Sequence, residues 1–195
     1  MNELRVFYAI YVAPGPFRSA LDAIRMIARP QARHAAHVTV RGPYSDYRDP
    51  REWSAAIRGK PIDIGGIGTF FDGDQNTVFL HVESPDLQLL WDKPDYPAYN
   101  PHLTIYDGPS RSFAESLRDL LAAREPQFTF LASGVEPMVS GNGLPPLITR
   151  YEPSDLAPFM AHPPTRSDVE GADVAARLAW IAELADYLVP TLCEA

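Results

Sequence analysis

The sequence predicts an α+β fold, and three patterns in its 195 residues predict it. Short segments rich in aromatic and β-branched residues alternate polar with apolar, the period of a half-buried strand. Segments with apolar residues every three or four positions fall between them, the period of an amphipathic helix. Gly, Pro, Asn and Asp punctuate the joints. Apolar residues make up 46% of the chain, enough to bury a core. A chain of this length fits one domain, or two small lobes sharing a core.

The elements follow in order. Arg5 to Val12 reads as a strand closed by Pro14-Gly15-Pro16. Phe17, Leu21, Ile24 and Ile27 predict a helix over residues 17–28, ending before Pro30. Residues 36–41 alternate strictly and form a second strand, and Asp49-Pro50 starts a short helix through Trp53 and Ile57. Residues 62–70 and 77–83 are two strands separated by Asp72-Gly73-Asp74-Gln75-Asn76, which predicts a hairpin. Gly65-Gly66-Ile67-Gly68 lies inside the first of them and reads as a bulge or a close backbone approach, not a phosphate loop. Leu87, Leu90 and Trp91 suggest a short helix, ended by the stretch from Pro94 to Pro101. Residues 102–106 are another strand, and Ser112 with Glu115 predicts a capping box for a helix carrying Phe113, Leu117, Leu120 and Leu121. Residues 127–132 and 135–139 complete the strands.

Beyond about residue 141 the character changes. Pro145, Pro146, Pro153, Pro158, Pro163 and Pro164 interrupt regular structure. Ser167 with Glu170 then predicts a cap for a helix over 168–189, with Leu178, Ile181, Leu184 and Leu188 on one face. The division expected is a body over 1–141 and an extension over 142–195, too short to bury a core of its own.

A net charge of −8 and a pI near 5.0 argue against a protein that tracks long nucleic acid, which needs a basic stripe. The arginines between Arg25 and Arg33 are interrupted. A phosphate-bearing substrate is therefore expected to be a small nucleotide or an RNA end. Cys193 is the one cysteine, which supports neither a disulfide framework nor a zinc knuckle and suits a reducing cytoplasm. The run from Met1 to Arg5 has no signal-peptide layout, and no apolar stretch reaches the ~18–20 residues of a membrane helix. A cytoplasmic protein with no membrane partner is expected.

Two of the five histidines stand in the same pattern. His37-Val38-Thr39-Val40 and His102-Leu103-Thr104-Ile105 each place a histidine and a threonine two residues apart on a strand, followed by a turn and a helix. Positions i and i+2 project from one face, so each motif presents an imidazole and a hydroxyl while its aliphatic residues pack beneath. Two such strands across a cleft supply what in-line displacement at phosphorus requires. One imidazole takes the proton of the attacking oxygen and the other protonates the leaving oxygen. The hydroxyls donate to non-bridging oxygens, where charge accumulates. A lone histidine of this kind is commonly structural; a matched pair points to catalysis.

With these motifs the chain resembles the 2H phosphoesterase superfamily, defined by two H-x-[ST]-x motifs and including 2′-5′ RNA ligase-like proteins and cyclic nucleotide phosphodiesterases. The resemblance covers roughly residues 4–140 and looks closest at Pro101-His102-Leu103-Thr104-Ile105. It implies two pseudo-symmetric lobes, each an antiparallel sheet with outer helices, and an active cleft between them. It implies catalytic roles for His37, His102, Thr39 and Thr104. The implied activity is a metal-independent phosphodiesterase acting on a cyclic or 2′-5′-type phosphodiester, without a cofactor. RNA-end ligation uses the same residues, and a nucleotide-binding module without catalysis is the alternative of another class. The proline-rich tail lies outside the common pattern; a protein-interaction role for it is a third reading.

Continuing the alternation puts Arg41 and Tyr106 on the faces of their histidines. Arg41 is a candidate to hold phosphate, or else forms a surface salt bridge. Tyr106 is a candidate to stack on a base or to fill the cleft wall. Tyr8 and Tyr11 lie on opposite faces of their strand, so at most one lines the cleft, and Tyr11 is the candidate. His81 is expected to be structural or to border the cleft; His34 and His162 are expected to be exposed. No metal-ligand spacing is present.

Overall fold

The strict alternation at the two motifs builds the centre of the fold. The computed structural model describes residues 5–32, 34–71, 74–92, 98–140 and 153–188. Strand β2 (His37–Tyr44) buries every second residue and leaves the residues between half-exposed, and β5 (His102–Gly108) begins the same way. The other strands are β1 (Arg5–Tyr11), β3 (Pro61–Phe70), β4 (Asn76–Glu83), β6 (Gln127–Leu131) and β7 (Glu136–Ser140). Among the described residues these seven strands form one sheet in the order β6-β3-β4-β5-β2-β1-β7, with every neighbouring pair antiparallel. The fold is α+β.

The residues under the motifs make the core. Val38, Val40, Leu103 and Ile105 are buried in one core cluster with the apolar stripes of α1 (Pro16–Ala28) and α4 (Arg111–Ala122). Each such aliphatic side chain contributes about 1.5–3 kcal/mol by leaving water. Short helices α2 (Arg51–Ile57) and α3 (Leu87–Leu90) cover the edges of this layer with Ile57, Leu87 and Leu90.

The glycine run in β3 is a bulge. Register shifts between Gly65 and Ile67 where β3 pairs with β4, and Gly66 takes a φ of +71°, open to glycine at little cost. The strands flanking residues 72–76 pair as expected of a hairpin, although positions 72 and 73 lie outside the described residues. Positions 93–97 and 141–152, which include Pro94, Pro97, Pro145 and Pro146, also lie outside them.

Two helix starts differ from the sequence expectation. Ser110, not Ser112, caps α4 by accepting the Phe113 N–H at 3.3 Å, and Glu115 instead pairs with Arg111 at 2.7 Å. In the tail Thr165 and Asp168 form the capping box, not Ser167 and Glu170. The expected helix over 168–189 is divided into α5 (Arg166–Gly171) and α6 (Val174–Ala185), the second restarted by Asp173 accepting from Ala176 N–H at 2.8 Å. A 3-10 turn, Asp186–Leu188, follows. In both cases the competing cap lies two residues earlier, where an extended backbone lets the side chain fold back on the first turn.

Helix α6 rests on α1 and α4. Ile181, Leu184 and Leu188 are buried in the same core, with Leu178 packed against it. Arg177 ties this layer down: its Nε donates to the Ile27 carbonyl at 2.7 Å, its Nη2 to that of Ala28, and its guanidinium lies 4.6 Å from the Phe113 ring centre. No helix among the described residues is long and apolar enough to cross a membrane.

Candidate active site

The two motifs lie on adjacent central strands. Val38 pairs with Leu103 in an antiparallel register, and counting outward sets His37 opposite Thr104 and Thr39 opposite His102. Val38 and Leu103 point into the core, so all four motif side chains project from the opposite face, where each is half-buried. His37 and His102 are thus diagonal neighbours, positions whose Cα atoms stand about 7–8 Å apart on such a pair.

Each imidazole is oriented by the backbone just before its strand. His37 Nδ1 lies 2.7 Å from the Ala35 carbonyl, and His102 Nδ1 lies 2.9 Å from the Asn100 carbonyl. A carbonyl oxygen only accepts, so Nδ1 carries the proton in both rings and the lone pair of the neutral ring sits on Nε2. The duplicated motif thus comes with a duplicated hydrogen bond.

The surroundings of the two rings differ. Tyr11 pairs with His37 across β1 and β2, with its ring 5.6 Å away. It is buried, and that burial raises its phenol above the ordinary range. His34 sits edge-on to His37 at 6.1 Å. His34 borders a cavity of about 360 Å³ that His37 and Thr104 line together with Arg25, Arg29 and Asp107. His102 instead lies among aromatic rings, 4.9 Å from Phe79 and 5.4 Å from Phe70. His81 pairs in register with His102 and is exposed on the same face, 5.2 Å from Phe79. Gly68 makes this floor possible, because a Cβ there would overlap the Phe79 ring.

Arg41 and Tyr106 do not join this group. The Arg41 guanidinium donates to the Leu90 carbonyl and to the Asp92 carboxylate, both at 2.9 Å, and to Tyr44 Oη at 3.3 Å, 4.2 Å from the Trp53 ring centre. It fastens the end of α3 to β2, and the salt-bridge reading of the sequence is the one observed. Tyr106 is in the core: its ring packs against Phe113 at 5.1 Å and its hydroxyl accepts the Ser110 N–H at 3.1 Å. The reason is a bulge in β5. Thr104 pairs with Phe79 but Tyr106 pairs with Val78, so Ile105 is the extra residue and the alternation reverses after it. Asp107, not Tyr106, returns to the motif face and accepts from Thr77 Oγ1 at 3.1 Å.

His34 is also not the exposed loop histidine expected. Its Nδ1 is buried with no hydrogen-bond partner among the described residues, and burial first, then the Arg25 charge, hold it below its usual value. Tyr8, on the other face of β1, is in the core with its hydroxyl donating to the Arg48 carbonyl at 2.6 Å. His34, Phe70 and Phe79 are the site neighbours that the sequence reading missed. Only Phe79, two residues before His81 on a strand opposite the glycine-rich one, left a readable signal.

Among the described residues no three His, Cys, Asp or Glu side chains cluster as ligands for a metal ion. No protein-family model matches the chain, and a search of curated proteins returns no match to it.

Proposed function

We propose that the chain is a metal-independent phosphodiesterase of the 2H type, acting on a cyclic or 2′-5′-type phosphodiester of a nucleotide or an RNA end. The observation that carries this reading is the pair of imidazoles on one sheet face, each fixed through Nδ1 by a carbonyl two residues earlier. Two rings on diagonal positions of adjacent strands, each with Nε2 as the exchangeable nitrogen, suit a phosphoryl group with its attacking and leaving oxygens between them.

In this reading the phosphoryl group sits over the Thr39–Thr104 diagonal. One imidazole removes the proton from the incoming water or hydroxyl as it attacks phosphorus, and the other delivers a proton to the departing oxygen. The two hydroxyls donate to the non-bridging oxygens, whose charge grows at the transition state. Phe70 and His81 offer a surface for a base beside His102, and Tyr11 closes the His37 side. The strands β6-β3-β4-β5 and β2-β1-β7 are then two pseudo-symmetric lobes, each contributing one histidine. The shared i−2 carbonyl bond supports that symmetry.

The test is a panel of 2′,3′-cyclic, 3′,5′-cyclic and 2′-5′-linked nucleotides, incubated with the chain in the presence of EDTA, with products resolved by chromatography. Cleavage of one class, lost in His37→Ala and His102→Ala, is the expected result. Cleavage that requires an added metal ion, or that survives both substitutions, overturns the proposal.

A further inference from the structure

Strand β3 carries Gly65, Gly66 and Gly68 in its interior, and glycine there weakens a strand, so the run needs a reason. The bulge and the φ of +71° account for Gly66. Gly68 has no positive φ, and what stands over it is aromatic. A Cβ at Gly68 would overlap the Phe79 ring and come within 3.0 Å of Cε1 of His81. At Gly66 a Cβ would lie 3.5 Å from Cδ2 of the same imidazole. The His81 ring therefore reaches from β4 over the bare backbone of β3, where these two positions raise no side chain beside it. A glycine inside a strand commonly marks a place where another group approaches closely.

His81 is exposed, and its ring makes no hydrogen bond or ion pair among the described residues. It rests edge-on to Phe79, with 81° between the ring planes. Phe79 is itself fixed, 2% exposed, with Phe70 at 4.5 Å and His102 at 4.9 Å. His81 also stands directly opposite His102 in the β4–β5 register, where Cβ atoms are about 4.5–5.5 Å apart. An exposed aromatic ring on a rigid support thus lies beside the place where a phosphoester oxygen would meet His102.

Resting on the proposed phosphodiesterase, we propose that His81 is the specificity-determining residue that selects a nucleobase. The base on the His102 side of the phosphorus stacks on the exposed His81 ring, in the space that Gly66 and Gly68 leave clear. The substrate class is then a nucleotide with an aromatic base on that side, and a sugar phosphate without a base is a poor ligand. Stacking uses the face of a base and not its edge, so all four bases are accepted with small differences. Histidine serves here through its ring and not through its proton.

The experiment is a pair of equilibrium titrations of the full-length chain in EDTA, with adenosine 5′-monophosphate and with ribose 5-phosphate. NMR of the histidine rings follows both, and His81→Gln assigns the His81 signals. In the wild type the adenosine nucleotide is expected to shift the His81 ring signals and to bind more tightly than ribose 5-phosphate. In His81→Ala the ratio of the two affinities falls about ten-fold, within the range for one stacked base. His81→Phe keeps a planar ring without a proton to give, and it restores the ratio, which a role in proton transfer or hydrogen bonding would not allow. A ratio unchanged in His81→Ala overturns the proposal, and so does a wild type that binds the two ligands equally. The titrations read binding and not turnover, so the two proposals fail separately. A base preference that depends on His81 in a chain that cleaves no phosphodiester sinks the reaction and keeps the subsite. Cleavage in a chain whose preference ignores His81 sinks the subsite alone.

Discussion

His37 and His102 are held by the same bond, Nδ1 to the carbonyl two residues earlier, and project from one face of adjacent antiparallel strands. In the proposed function the two rings act in one step. Replacing either with alanine is expected to cut turnover by about 10²–10⁴-fold, the range for one positioned proton-transfer group. The double variant should lose much less than the product of the two, because residues acting as a unit are not additive. Steady-state rates on any substrate the wild type cleaves decide this; two independent, multiplying losses would show that the rings do not cooperate.

The threonines between them should act on rate with little effect on folding. Both are half-buried on the motif face, while the core beneath is Val38, Val40, Leu103 and Ile105. Thr39→Val and Thr104→Val are expected to cost about 2.7–4 kcal/mol each in kcat, the scale of a lost donor to a developing oxyanion. Denaturant midpoints close to wild type, measured alongside, would separate this from misfolding.

Much of this was legible in the sequence because it depends on period alone. Alternation places His37 with Thr39 and His102 with Thr104, and the buried partners Val38 and Leu103 follow from the same rule. Alternation fails where a strand carries an extra residue, and the Ile105 bulge sends Tyr106 to the core. Composition reveals the bulge in β3, with its three glycines, but Ile105 leaves no such mark. Arg41 looked available because its partners, Leu90 and Asp92, are about fifty positions away and come close only through the α3 connection. His34 escaped notice for a related reason. Its placement depends on how the 34–36 segment lies against α1, which no local pattern encodes.

The aromatic floor under His102 predicts a steric effect. The Phe79 ring fills the space above Gly68, with Phe70 4.5 Å away and His102 4.9 Å away, and it is 2% exposed. Gly68→Ala must displace a ring that has nowhere to go, a cost of about 1–3 kcal/mol for overpacking. The same shift disturbs His102, so stability by denaturation and turnover should fall together. A variant with wild-type stability would mean that the ring moves freely.

The tail helix should unfold with the body. Leu184 is fully buried in the core cluster that also holds α1 and α4, so Leu184→Ala should cost about 2–5 kcal/mol of global stability. Hydrogen exchange should find α6 amides protected to the same level as those of α1. Exchange of α6 at a much lower free energy would show an independent, weakly attached element.

His34 gives a prediction whose sign follows from where it sits. Burial, and then the Arg25 guanidinium, disfavour its imidazolium in the folded chain, so its proton is held more weakly than at the usual 6.5. In the unfolded chain the ring returns to that usual value. Between the two values the unfolded state binds more protons, and stability rises with pH wherever that is so. The contribution is complete above pH 6.5 and is lost as pH falls through the folded value. Asp22 has the opposite sign, since burial raises its carboxyl, but it is present in both chains of the comparison below. Unfolding free energies from urea melts should therefore decline as wild type is taken from neutral pH to mildly acidic pH. His34→Gln, which has nothing to protonate, should decline less over the same interval. Parallel curves for the two chains would mean that His34 titrates alike in the folded and unfolded states, contrary to its buried position beside His37.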